Sequence, residues 1–155
     1  MLKKIVVLVA LLALALGLWA QHGLKGDFIT VDGKTHNWSN SEGEWTVVNY
    51  FAEWCAPCLR EIPELNQFYQ QHDDDIAIFA VSFDRLNKSQ LSALKHKHNI
   101  QFPVIAQLNS LPWTQAPNSL PTTYILDADG KVKKQLKGEL SAKKLFQIIQ
   151  RLRAL

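Results

Sequence analysis

Cys55 and Cys58 are the only thiols in the 155-residue chain, and they stand together as Cys55-Ala-Pro-Cys58. A thiolate is both nucleophile and electron donor, and two thiols at this spacing can close and reopen a disulfide without large backbone movement. The pair follows Trp45–Phe51 (W-T-V-V-N-Y-F), a β-branched and aromatic run that reads as a buried central strand, and precedes a helical stretch reaching about His72. At such a strand-to-helix junction, unpaired backbone N–H groups and the helix dipole favour negative charge. The thiolate of Cys55 is therefore expected to be stabilised and nucleophilic. Cys58, one turn further on, is expected to be less exposed and able to attack a mixed disulfide formed at Cys55. Pro57 stiffens the first helical turn, where proline is tolerated. Cys55 and Cys58 are thus the expected catalytic residues of a pair that exchanges two electrons with a protein dithiol or disulfide.

Blander uses of the two cysteines fit less well. A purely structural bridge across so short a loop would restrict little unfolded-chain entropy. Half of a zinc site completed by His96 and His98 has a spacing that matches no common zinc module, and alternate residues on a helix point to different faces. No metal ligand set and no bound cofactor are expected.

The elements that must position the pair are legible on both sides of it. Phe28–Val31 and Lys34–Trp38 flank Asp32-Gly33, a strong hairpin signal. Asn40–Glu44 reads as a polar loop. After the cysteines, Ile62, Leu65, Phe68 and Tyr69 share a helical face, and Pro63 is expected to kink that helix. Asp73–Asp75 reads as a solvated turn, Ile76–Phe83 as a second buried strand, Ser89–His98 as a helix with Leu91 and Leu94 inward, and Phe102–Ala106 as a third strand. Asn109–Ser119, with Pro112 and Pro117, reads as loop. Thr122–Leu126 and Lys131–Leu136 flank Asp127-Ala-Asp-Gly130 and form a second hairpin. A calcium loop there lacks the downstream glutamate. Ser141 can N-cap a last helix with Leu145, Ile148, Ile149 and Leu152 inward. His22, His36 and His72 stand alone and are expected to face solvent. Strand–helix alternation followed by a hairpin predicts an α/β domain with a mixed sheet and helices on both faces.

Met1–Lys4 is a short positive segment, and Ile5–Ala20 is an uncharged, largely apolar run. This is the layout of an export signal, and bulky Leu18 and Trp19 near the small residues favour an uncleaved membrane anchor over a cleaved signal. Lys3 and Lys4 place the N-terminus in the cytoplasm and the rest of the chain outside. The division expected is therefore 1–20 as signal or anchor and 21–155 as one domain. From residue 21 onward the chain has 15 Lys and Arg against 14 Asp and Glu, so it offers no electrostatic case for nucleic acid.

Trp54-Cys-x-x-Cys58 after a hydrophobic strand, with Pro63 beyond it, resembles thioredoxin. The phrase Val48-Asn-Tyr-Phe-Ala-Glu-Trp-Cys-Ala-Pro-Cys-Leu-Arg-Glu-Ile-Pro-Glu-Leu65 is more similar still to the membrane-anchored TlpA-like branch. So are the leading hairpin with Asp32-Gly33-Lys34, the extra strand–helix unit around Ile76–His98, and Leu120-Pro-Thr-Thr-Tyr-Ile-Leu-Asp-Ala-Asp-Gly130. The likeness covers residues 26 to 155. It implies a thioredoxin-like α/β fold, a mixed central sheet flanked by helices, with an N-terminal β-hairpin and an extra strand–helix insert. It also implies that Pro121 is cis and faces the cysteines, that Leu120 offers its backbone to a substrate strand, and that Trp54 and Pro57 complete the substrate-binding surface. Thioredoxin has a buried aspartate in the strand before the motif; the matching residue here is Asn49, which cannot titrate, and asparagine at this place is common in the TlpA-like branch. Glu53 and Glu61 are the nearest carboxylates in sequence and are expected at the surface.

These readings converge on an extracytoplasmic thiol–disulfide oxidoreductase acting as a protein-disulfide reductase. Its implied partners are protein thiols and disulfides, with apocytochrome c as one family-level client, and a membrane-embedded electron donor. The domain is read as a monomer. A disulfide-forming oxidase is the alternative within redox chemistry, and a non-catalytic module holding a partner strand at Leu120-Pro121 is the alternative outside it. Peroxiredoxin-like chains set their reactive cysteine in a different motif.

Overall fold

The computed structural model describes residues 13, 26–40 and 45–154. The 1–20 segment, apart from residue 13, His22, and positions 41–44 of the expected Asn40–Glu44 loop therefore lie outside the described residues. Among the described residues no helix is long and apolar enough to cross a membrane.

The strands are β1 (Phe28–Thr30), β2 (Thr35–His36), β3 (Trp45–Phe51), β4 (Ile76–Ser82), β5 (Val104–Leu108), β6 (Thr122–Leu126) and β7 (Val132–Lys137). The helices are α1 (Ala56–His72), α2 (Lys88–Lys97) and α3 (Ala142–Arg153), with a 3-10 turn at Trp38–Asn40. One seven-stranded sheet runs in the order β2-β1-β5-β4-β3-β6-β7. β3, β4 and β5 are parallel, while β1 pairs antiparallel with β5 and the β6–β7 hairpin pairs antiparallel with β3.

Side chains along a strand alternate between the two faces, and here each face has its own core. Val47 and Phe51 of β3 and Ile78 and Ala80 of β4 pack with the inward residues of all three helices: Ile62, Leu65 and Phe68 of α1, Leu91 and Leu94 of α2, Leu145 and Ile149 of α3. Val48, Tyr50, Phe79 and Val81 point the other way and meet Phe28, Trp38, Trp113 and Tyr124. The expected pair of helical layers is thus corrected: the described helices gather on one face. β3–α1–β4 and β4–α2–β5 step across the sheet in the same direction, and two right-handed crossovers in one direction place both helices on one side.

The second face is closed by aromatic rings. Trp113, at the centre of the predicted loop, stacks on Tyr124 with centroids 4.6 Å apart, and Trp38 packs on Phe28 at 4.2 Å. Trp38 Nε1 donates to the Ser110 carbonyl at 3.1 Å, tying the N-terminal segment to that loop. Gly130 sits so close to Trp38 that a Cβ would lie 2.9 Å from its backbone. His36, expected in solvent, is 8% exposed and stacks on Phe28 with centroids 5.1 Å apart. A histidine at the inward position of a two-residue strand is carried into the core by the hairpin pairing. His72 is half-buried and lies flat against Phe146 at 4.2 Å. α1 runs unbroken through Pro63, which lies on its exposed side.

Candidate active site

β3 carries the chain to the site. Phe51 accepts the Phe83 N–H at 2.8 Å, and Ala52 accepts the Cys55 N–H at 3.1 Å, so the segment before the cysteines is pinned to both neighbours in space and sequence. Cys55 is the N-cap of α1, with extended backbone at φ −89° and ψ 93°. Its sulfur accepts the Cys58 N–H at 3.3 Å, the role that Ser or Asp plays at an ordinary helix start. Pro57 occupies the first turn, where its missing N–H leaves no bond unmade.

Cys55 and Cys58 are joined in a disulfide with Cα atoms 5.3 Å apart. Cys55 is 5% exposed and Cys58 is fully enclosed. The sulfur that an incoming group can reach is therefore that of Cys55, and the helix start that surrounds it favours its thiolate once reduced.

Trp54 is the most exposed large apolar side chain beside the pair, at 66%. Its indole N–H donates to Asp84 Oδ1 at 3.1 Å, and its ring meets Phe83 edge-on. The Leu120–Pro121 peptide is cis. Tyr50 is opposite Thr122 in the antiparallel β3–β6 ladder, so Pro121 enters β6 at the end where β3 departs for Cys55. The Pro121 carbonyl accepts the Gly138 N–H at 2.9 Å, and Thr122 Oγ1 donates to the Ser119 carbonyl at 2.8 Å, which fixes the bend that presents half-buried Leu120.

Glu61 departs most from the sequence reading. Expected at the surface, it is 1% exposed. It follows Cys58 by one turn on the inward stripe of α1 that continues with Ile62, Leu65 and Phe68. Asn49 Nδ2 donates to its Oε1 at 2.7 Å and the Leu140 N–H to its Oε2 at 3.1 Å. Burial pushes this carboxyl up to about 7. The bonds from Asn49 and Leu140 pull it down, and the nearby Glu139 charge pushes it up again. A group poised near neutrality can take and return a proton under ordinary conditions. Asn49, standing where thioredoxin has a titratable acid, is thus the donor that holds one. The signal for Glu61 was available: a carboxylate on the apolar side of an amphipathic helix, three residues after a reactive cysteine.

Glu53 does remain at the surface. Lys97 Nζ and, at 3.3 Å, His98 Nε2 hold its carboxylate, and the Lys97 bond keeps its acidity above that of an ordinary glutamate. His98 is thereby occupied, while His96 lies on the outer side of α2 with Lys88 and Lys97. Among the described residues no three His, Cys, Asp or Glu side chains cluster as a metal site would.

A profile of the AhpC/TSA family matches residues 22–135. The chain belongs to the AhpC/TSA family. Within reach of this family member are the thioredoxin-like protein YneN of Bacillus subtilis (strain 168), 28% identical over 120 residues that span 76% of this chain and 71% of that protein. The thiol-disulfide oxidoreductase ResA of Bacillus thuringiensis subsp. konkukian (strain 97-27) is 27% identical over 130 residues, 81% of this chain and 75% of that one. Among solved structures, the exposed lipoprotein thioredoxin of Streptococcus pneumoniae strain TIGR4 superposes with a TM-score of 0.67 at 24% identity, over 83% of this chain and 97% of that one. The fold is thus thioredoxin-like.

Proposed function

We propose that this AhpC/TSA-family chain is an extracytoplasmic thiol–disulfide oxidoreductase that works as a protein-disulfide reductase. Family membership alone leaves the chemistry open. The observation that carries the reading is the Cys55–Cys58 disulfide at a helix start, its buried sulfur one turn from a buried carboxyl poised at about 7. The likeness to ResA, a thiol-disulfide oxidoreductase, supports the same chemistry. Export is supported by the Met1–Ala20 pattern, read as a signal or anchor ahead of a domain at 21–155.

In the forward direction the Cys55 thiolate attacks one sulfur of a client disulfide. A Cys55–client mixed disulfide forms and the other client sulfur leaves as thiolate. Glu61 takes the proton of the Cys58 thiol, and the Cys58 thiolate attacks Cys55 Sγ. The Cys55–Cys58 disulfide forms, the second client sulfur leaves, and the client has gained two electrons, its two thiolates taking one proton back from Glu61 and one from water. A membrane-embedded dithiol donor must then return the enzyme to the reduced state. Trp54, Pro57, Leu120 and Pro121 form the client surface in this reading, with Leu120 pairing to an extended client backbone.

The insert between β4 and β5 holds only α2, a ten-residue helix, and so lacks the large helical domain of a DsbA-type oxidase. The deciding experiment is the reduction potential of the pair in the full-length protein, equilibrated in thiol buffers. A value towards about −270 mV, as for thioredoxin, supports the reductase, and a value towards about −120 mV, as for DsbA, makes it a disulfide donor. In the same protein Cys55→Ser is expected to abolish reduction of insulin disulfides, and Cys58→Ser to accumulate the mixed disulfide. Function in cells that survives loss of both cysteines would instead support a binding module.

A further inference from the structure

Three uncharged groups decide how Glu61 is held, and one of them has no other evident task. Asn49 of β3 is 2% exposed, and its Nδ2 makes two bonds: to Glu61 Oε1 at 2.7 Å and to Thr123 Oγ1 at 3.1 Å. Thr123 of β6 is fully buried and lies directly opposite Asn49 in the β3–β6 ladder. An asparagine side chain has a donor end and an acceptor end of nearly equal shape. Only the donor end suits a carboxylate. Turned over, the amide would set its oxygen against Glu61 Oε1.

We propose that Thr123 is a positioning residue of the proton relay, its hydroxyl oxygen accepting from Asn49 and so holding the amide with its N–H groups towards Glu61. This rests on the reading of Glu61 as the acceptor of the Cys58 proton. Both bonds to Glu61 come from donors, so the arrangement suits the carboxylate form and offsets part of what burial costs it. Without the Thr123 oxygen the amide loses its second anchor and leaves one buried N–H unpaired. The bond to Glu61 then weakens and the protonated form gains. Thr123 also sits two residues after cis-Pro121, so the strand that carries the client-facing bend holds the relay in place.

The charged groups around Glu61 leave this effect legible. From the segment before α3, Glu139 opposes its ionisation, while Arg60 of α1 is paired with Glu139. Glu64, the next carboxylate on α1, accepts the Ala142 N–H at 2.9 Å. β3 and β6 contribute only the uncharged Asn49 and Thr123.

The test is the titration of the Glu61 carboxyl by carbon-13 NMR in the full-length oxidised protein, the signal being assigned by its loss in Glu61→Gln. Thr123→Val is expected to raise the midpoint by about one pH unit. Thr123→Ser, which keeps the hydroxyl, is expected to restore it. A valine that destabilises the fold leaves the serine variant and an Asn49→Ala titration, expected to rise at least as far as Thr123→Val. A wild-type midpoint unchanged in Thr123→Val, or a shift that serine does not reverse, overturns the proposal. The underlying reading fails separately, if Glu61→Gln leaves the rate of mixed-disulfide resolution and its pH dependence intact.

Discussion

Glu53 lies two residues before Cys55 and Glu61 three residues after Cys58, and the fold takes the two carboxylates in opposite directions. Glu53 is 45% exposed and held by Lys97 and His98, from the last turn of α2 and its cap. Glu61 is 1% exposed and held by an amide and a backbone N–H. The first has its pKa lowered, chiefly by the hydrogen bond from Lys97, and the second is pushed up to about 7 by burial. Distance in sequence to the reactive sulfur says nothing about which one can move its proton. What decides is placement: helix periodicity turns position 61 inward with Cys58, while position 53 lies in the exposed turn ahead of α1.

The largest expected contrast between them is kinetic. Glu61→Gln should slow resolution of the mixed disulfide by about 100-fold or more, the usual scale of a lost general base, while Glu53→Gln stays within about twofold. Equal losses from both substitutions would erase the comparison.

Stability sharpens it next. Glu61 has a folded-state pKa of about 7 against an ordinary 4.5, so the folded state binds the extra proton. Its contribution is therefore fully present below about pH 4.5, is lost as pH rises to about 7, and by then the ionised carboxylate costs roughly 3 kcal/mol. Glu53 has the reverse sign, since its acidity is raised by folding and its contribution is lost as pH falls through the acid range. Urea unfolding of the oxidised protein should therefore find Glu61→Gln more stable than wild type at about pH 8 and no better at about pH 4. Glu53→Gln should lose its effect in about 1 M salt, where exposed ion pairs are screened.

A smaller shift comes from outside the core. Glu139 raises the Glu61 midpoint and is itself paired with Arg60. Glu139→Gln removes the repulsion and frees the Arg60 charge, so the titration of Glu61 should move down by a few tenths of a pH unit. Movement upward would mean that Glu139 acts by holding Leu140 rather than by its charge.

Much of this frame was legible from residues alone. The Trp45–Phe51 strand is found with those bounds, and the Ser141 cap places α3 where its apolar stripe predicts. Short-range signals of this kind survive folding because turn residues, caps and strand runs act locally. What failed depended on the whole sheet. The helices lie on one face because of the direction in which successive crossovers step, which no local pattern states. His36 is buried because the hairpin register turns it inward, and β5 starts at Val104 rather than Phe102 because it is bounded by its partners β4 and β1. At the site, the cysteine motif was plain, while Glu61 looked like one more surface glutamate. Its role depends on Asn49 and Leu140, which are 12 and 79 positions away.

The most direct test of the account follows release of a small thiol from a mixed disulfide at Cys55 in single turnovers of the full-length protein. Between about pH 5 and pH 9 the wild-type rate should rise with a midpoint near the Glu61 value of about 7, and Glu61→Gln should lose that step. Superimposable profiles from the two proteins would contradict the claim that Glu61 receives the Cys58 proton.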